Sequence, residues 1–156
     1  MTNNDVLRRI RYIFDFSDAK VVALLQLADQ EVSREEVRCW LQREEDPDYL
    51  NCSDRRLAGF LNGLIIDRRG RRQGEQPKAE KRLTNNLIFK KLKIALDLQA
   101  EEVLAIMDLA DLAISKHELS AFFRRPDHKH YRLCKDQILR NFLHGLQLKY
   151  RPNTSK

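Results

Sequence analysis

The sequence predicts an all-α protein built from two tandem repeats of about four short helices each, packed with approximate two-fold pseudo-symmetry. Three observations carry this. The stretch YLNCSDRRLAGFLNGL at 49–64 returns as YRLCKDQILRNFLHGL at 131–146, and the offset of 82 holds without a gap from Thr2/Thr84 to Arg69/Arg151, with about 20 identities. Such self-similarity marks a duplicated unit. Apolar residues recur at helical spacing throughout, and no strand-like alternation interrupts them. Each half alone, roughly 65 residues, is marginal as an independent core, so the halves are expected to share one or to pack over an extensive face.

Each repeat opens on Thr-Asn-Asn, at 2–4 and 84–86, just before an apolar stripe: Val6, Leu7, Ile10 and Ile13 in one copy, Ile88, Phe89, Leu92 and Ala95 in the other. Short side chains that accept from free backbone N–H groups suit a helix start, so the asparagines read as N-caps. A second helix carries Val21, Val22, Leu24, Leu25 and Leu27, mirrored by Val103, Leu104, Ile106, Met107 and Leu109. Its wide apolar arc predicts the most buried element. Ser33-x-x-Glu36 and Ser115-x-x-Glu118 have capping-box spacing and open a third helix. After a loop of about ten residues, the fourth helix carries Leu57, Phe60, Leu61 and Leu64 against Leu139, Phe142, Leu143 and Leu146. Gly63 and Gly145 lie inside it, each costing about 1 kcal/mol relative to alanine. A cost repeated in both copies predicts a close backbone crossing, of the fourth helix of one repeat on that of the other.

The organisation that follows is repeat 1 over 1–66, a basic linker over 67–83, repeat 2 over 84–150 and a tail over 151–156. The linker, DRRGRRQGEQPKAEKR followed by Leu83, has glycines, a proline and many charges but no apolar period. The net charge of +6 is uneven: −3 over 1–66, +4 over 67–83 and +5 over 84–156. That balance suits a nucleic acid or an acidic protein as partner. No run reaches the ~18 apolar residues of a membrane span, and MTNNDVLRRI lacks a signal-peptide core. The three cysteines, an odd number, do not make a disulfide framework. A cytoplasmic protein with no membrane association is expected.

Four groups of residues invite a chemical reading. Cys52 and Cys134 each stand two residues before a matched aspartate at the start of the fourth helix. Unpaired N–H groups there stabilise a thiolate, which makes the pair candidate reactive thiols; the alternative is a half-buried capping cysteine. His128, His130 and Cys134 lie in one loop, but a structural zinc site wants a fourth ligand, and two histidines in a solvated loop is the plainer reading. Arg8, Arg9 and Arg11 coincide with Lys90, Lys91 and Lys93 on the first helix of each repeat, and all six are expected to project to water. With the linker arginines Arg68, Arg69, Arg71 and Arg72 they form candidate contacts to a phosphate backbone, against the commoner outcome of a solvated charged face. The second and third helices resemble a helix-turn-helix only weakly, because Glu31 and Leu27 stand where small residues are customary.

The repeated signature Tyr-x-x-Cys-x-Asp-x-x-Leu-x-x-Phe-Leu-x-Gly-Leu, together with NNDVLRRIRYI, NNLIFKKLKIAL and RRPDHKHY, resembles the YehS-type family of bacterial proteins of unknown function, built from two copies of one small domain. The resemblance covers residues 1 to about 150 and implies a bacterial cytoplasmic origin. It brings no substrate, cofactor or catalytic residue. No carboxylate pair, nucleophile with its base, or phosphate-cradling glycine loop is recognisable. The leading expectation is a non-catalytic helical binding protein without a cofactor, contacting RNA or DNA through the cations above. The alternatives are a protein–protein module, with itself or another chain, and a thiol-based redox sensor.

Overall fold

The computed structural model describes residues 1–152; the last four residues of the predicted tail lie outside the described residues. The chain divides into two compact units, the first ending at Leu83 and the second beginning at Thr84. In the first unit α1 spans Asn3–Phe14, α2 Asp18–Leu27, α3 Arg34–Trp40 and α4 Asp54–Arg69. In the second, α5 spans Asn85–Ala95, α6 Ala100–Leu109, α7 Lys116–Phe122 and α8 Asp136–Tyr150. Shifted by 82, all four starts coincide, and α2 with α6 and α3 with α7 coincide at their ends as well. No strand is present among the described residues. The all-α tandem-repeat reading therefore holds.

The caps explain where these helices begin. Thr2 and Thr84, rather than the asparagines after them, are the N-caps of α1 and α5; Thr2 accepts from the Asp5 amide and Asp5 accepts from the Thr2 amide in return. Ser115 and Glu118 close the expected box in both directions. Ser33 accepts from the Glu36 amide, but the Glu36 carboxylate faces Arg56 at 3.8 Å instead of reaching back. Four aspartates end helices in the left-handed region: Asp15 and Asp97 after α1 and α5, Asp29 and Asp111 after α2 and α6, with φ between 53 and 60°. Aspartate tolerates this conformation better than most residues, because its short polar side chain bonds locally.

The most enclosed helix is α4, not α2 as the apolar arc suggested. Leu57 to Leu64 are buried without a break, whereas Val22 and Leu27 of α2 are half-buried and Leu109 of α6 is exposed. The reason is side-chain size: Ala58, Gly59 and Gly63 let neighbours close on every side of α4. In both units the matched helical glycine, Gly63 or Gly145, meets the second helix of its own unit. A Cβ on Gly63 would collide with the carbonyl oxygen of Leu24, and one on Gly145 with that of Ile106. The expected crossing of fourth helix on fourth helix is thus replaced by α2 on α4 and α6 on α8. Around these crossings Leu24, Leu25, Phe60 and Leu64, and likewise Ile106, Phe142 and Leu146, form the dry interior.

The stretch read as linker begins later than its composition implied. Helix α4 continues through Asp67, Arg68 and Arg69, and irregular chain runs from Gly70 to Leu83. Its last residue is tied down, since the Leu83 amide donates to Asp54 Oδ2 at 2.9 Å.

Candidate functional site

The residues repeated most faithfully build a hydrogen-bonded knot. Asn4 is buried; its Nδ2 donates to the carbonyls of Trp40 at 2.9 Å and Leu50 at 2.8 Å, and its Oδ1 accepts from the Cys52 amide at 3.0 Å. Asn3 Nδ2 donates to the Cys52 carbonyl at 3.0 Å and to Asp54 Oδ1 at 2.7 Å. In the second unit Asn86 bonds Phe122, Arg132 and Cys134 in the same way, and Asn85 bonds Cys134 and Asp136. Buried backbone groups in a loop must find partners, and here two consecutive amides supply them from the first turn of another helix. The knot fixes the loop that precedes the fourth helix.

That geometry decides what the two thiols are. Cys52 and Cys134 are 5% and 4% exposed. Burial pushes both thiols up to about 12, and for Cys52 the nearby Arg56 only partly offsets it. Ser53 caps the helix N-terminus in the first unit; in the second the Leu139 amide bonds the Cys134 sulfur, which only partly offsets the burial. Neither thiol has the depressed pKa and access that a reactive cysteine needs. Cys134 is also separated from a metal-binding role by its burial, while His128 and His130 are exposed. Among the described residues no three His, Cys, Asp or Glu side chains converge to hold a metal ion, and no helix is long and apolar enough to cross a membrane.

The six helix-one cations do not all project to water as expected. Positions 8, 9 and 11 lie at about 0, 100 and 300° around a helix, an arc of about 160° whose two ends flank the apolar stripe. Lys91 is buried, and Arg9 at the matching position is half-buried. Arg8 Nη1 pairs with Asp5 Oδ1 at 3.1 Å while its Nη2 donates to the Gln42 carbonyl at 3.0 Å. Arg11 Nε lies 3.9 Å from Asp18. Lys93 sits over the Phe123 ring at 5.5 Å, a cation–π contact. Lys90 remains exposed. The arginines at the end of α4 are different: Arg68, Arg69, Arg71 and Arg72 are all exposed. Arg68 covers the Phe14 ring at 4.9 Å, and Arg71 Nη2 donates to the Leu27 carbonyl at 3.1 Å, so both are positioned.

The loops held by the knot share a backbone as well as an anchor. The Asp46 and His128 amides each donate to the carbonyl three residues back at 2.9 Å. Next, the Tyr49 and Tyr131 amides donate to Asp46 and His128 carbonyls at 3.0 Å. Leu50 and Arg132 then donate to the Cys39 and Ala121 carbonyls at 3.2 Å. Even the turn-closing side chain is replaced in kind. Asp46 Oδ1 accepts from the Asp48 amide at 2.8 Å, and His128 Nδ1 accepts from the His130 amide at 3.0 Å. What differs is the outward chemistry of these loops, which a comparison of the two copies for charge rather than identity would have exposed.

The comparisons with known proteins agree with this architecture. The family model described as "Protein of unknown function (DUF1456)" matches residues 3–70 and again 85–151. The chain is similar to the uncharacterized protein YehS of Escherichia coli (strain K12), at 40% identity over 147 residues covering 94% of each chain. No solved structure matches.

Proposed function

This chain belongs to the family described as protein of unknown function DUF1456, and from that premise we propose that it is a non-catalytic helical module that binds a nucleic-acid backbone. The surface is the end of α4 and the chain just beyond it, carrying Arg68, Arg69, Arg71 and Arg72. One observation supports the reading above the others: four exposed arginines fall within five residues, on both sides of the cap residue Gly70. Attraction to the negative helix C-terminus accounts for Arg68 and Arg69, but its influence is confined to the last turn. Arg71 and Arg72 lie beyond it. The neighbouring Asp67 is paired with Lys20 at 3.1 Å. A guanidinium presents forked donors that match phosphate oxygens, so a short arginine-rich segment is suited to the backbone and not to base edges.

The test is fluorescence anisotropy with a single-stranded RNA and a DNA duplex at about 50 mM salt, the regime in which phosphate contacts count most. Wild type is compared with the variant Arg68→Ala, Arg69→Ala, Arg71→Ala, Arg72→Ala. Expected is micromolar or tighter binding that weakens at least tenfold in the variant, with unfolding midpoints alike. Equal affinity for the two proteins, or none for either, would remove the proposal.

A further inference from the structure

The loops at 42–53 and 124–135 have the same length, anchor and turn, yet carry opposite charge. The first, between α3 and α4, holds one cation, Arg43, against four carboxylates, Glu44, Glu45, Asp46 and Asp48. The second, between α7 and α8, holds five cations, Arg124, Arg125, Lys129, Arg132 and Lys135, against Asp127 alone. Folding does not require this, because the bonds that shape each loop come from backbone groups, the matched asparagines and the turn acceptors. We propose that the α3–α4 loop of one copy of this chain docks on the α7–α8 loop of a second copy.

Three features of the loops support a second copy as the occupant. The charges are complementary in sign and number, and complementary loops on one chain are complementary between two copies of it. Among the described residues much of each set has no ion pair inside its own unit; the pairs made there are Asp48 with Arg38 and Arg125 with Asp127, both at 3.3 Å, and Arg132 at 4.0 Å from Glu118. Each loop also exposes a leucine, Leu50 at 47% and Leu133 at 67%, the highest value among the exposed large apolar side chains. A leucine beside complementary charges gives a protein contact an apolar centre with a polar rim. A phosphate backbone has no use for it, so a protein surface fits this loop better than a nucleic acid does. Such a contact is heterologous, joining different surfaces of the two copies. It involves none of the arginines assigned above to nucleic acid.

Sedimentation velocity on the whole chain tests this. At about 20 mM salt the boundary should move faster as protein concentration rises, and at about 0.5 M salt it should return to that of a single chain, because exposed pairs are screened over a few ångströms. One variant, Glu44→Lys with Glu45→Lys, reverses the acidic loop; another, Lys129→Glu with Arg132→Glu and Lys135→Glu, reverses the basic one. Each alone should sediment as a single chain, and an equimolar mixture should regain the wild-type boundary. Circular dichroism verifies that both fold, and the wild-type salt series stands whether or not they do. A wild-type boundary indifferent to concentration and salt would overturn the proposal. So would folded variants that associate alone, or that fail to associate when mixed. A wild type that stays single while the basic-loop variant loses RNA affinity would assign that loop to nucleic acid instead.

Discussion

The side-chain amide of Asn4 donates to the Leu50 carbonyl at 2.8 Å, joining the first turn of α1 to a loop 46 residues further on. Asn86 makes the matching bond to Arg132 at 2.7 Å. The partner residue changes from leucine to arginine without disturbing the bond, because only its backbone is used. This is how one scaffold carries two surfaces.

Replacing Asn4 by alanine strands two carbonyls and the Cys52 amide in a buried site. An unsatisfied buried group costs about 1–3 kcal/mol, so Asn4→Ala should lose about 3 kcal/mol or more in urea unfolding. Asn4→Asp should be no better, since a carboxylate still accepts from Cys52 but cannot donate to Trp40 and Leu50. A loss below about 0.5 kcal/mol, the size expected at an ordinary surface position, would mean that water or relaxation supplies the missing partners.

Alanine at an exposed helical glycine usually stabilises by about 1 kcal/mol. Gly63→Ala and Gly145→Ala should do the opposite, by about 1–3 kcal/mol, because the new Cβ meets the backbone of Leu24 or Ile106 and the helices must separate. Gly59→Ala is the internal control. Its neighbour is the flexible end of Gln30, which can swing away, so its thermal midpoint should change least of the three.

The cysteines link stability to alkaline pH. Their thiols are raised to about 12 in the folded chain, against about 8.5 when unfolded. A raised pKa contributes stability that is complete below the unfolded value and is lost as pH climbs toward the folded one. Unfolding free energy should therefore fall between about pH 9 and 12, and less steeply in Cys52→Ala, Cys134→Ala. Alkylation of the native protein at pH 8.5 should label Cys52 and Cys134 more slowly than a free thiol. Labelling at the free-thiol rate would restore the redox-sensor reading.

Asp29 and Asp111 combine a left-handed backbone with a negative charge at a helix C-terminus, which the helix dipole disfavours. Glycine there should stabilise by about 0.5–1 kcal/mol per site through both terms, read as a higher thermal midpoint for Asp29→Gly, Asp111→Gly. An unchanged or lower midpoint would show that these carboxylates have favourable work on the surface.

Much of this fold was legible from periodicity and punctuation. The serine caps at 33 and 115, which open α3 and α7, and the two-copy organisation follow from local spacing, which local physics sets. What escaped depended on tertiary partners. Asn3 and Asn4 have the composition of caps, yet their side chains are spent on backbone more than thirty residues away. Gly63 announced a close crossing without naming the helix across from it. Lys91 reads as a surface cation by residue type, and only its place on the wheel relative to Ile88 and Leu92 hints that it turns inward. The charge inversion between the two loops was hidden for another reason: alignment of the copies rewards what they keep, and here the informative residues are the ones that changed.

The most direct measurement of the proposed function is the salt dependence of RNA affinity. Each phosphate contact contributes about 0.7 to the slope of log affinity against log salt for single strands. Wild type should therefore be steeper than the variant lacking Arg68, Arg69, Arg71 and Arg72 by about 2 to 3. Parallel lines for the two proteins, or a wild type with no measurable affinity at low salt, would contradict a phosphate-binding end of α4.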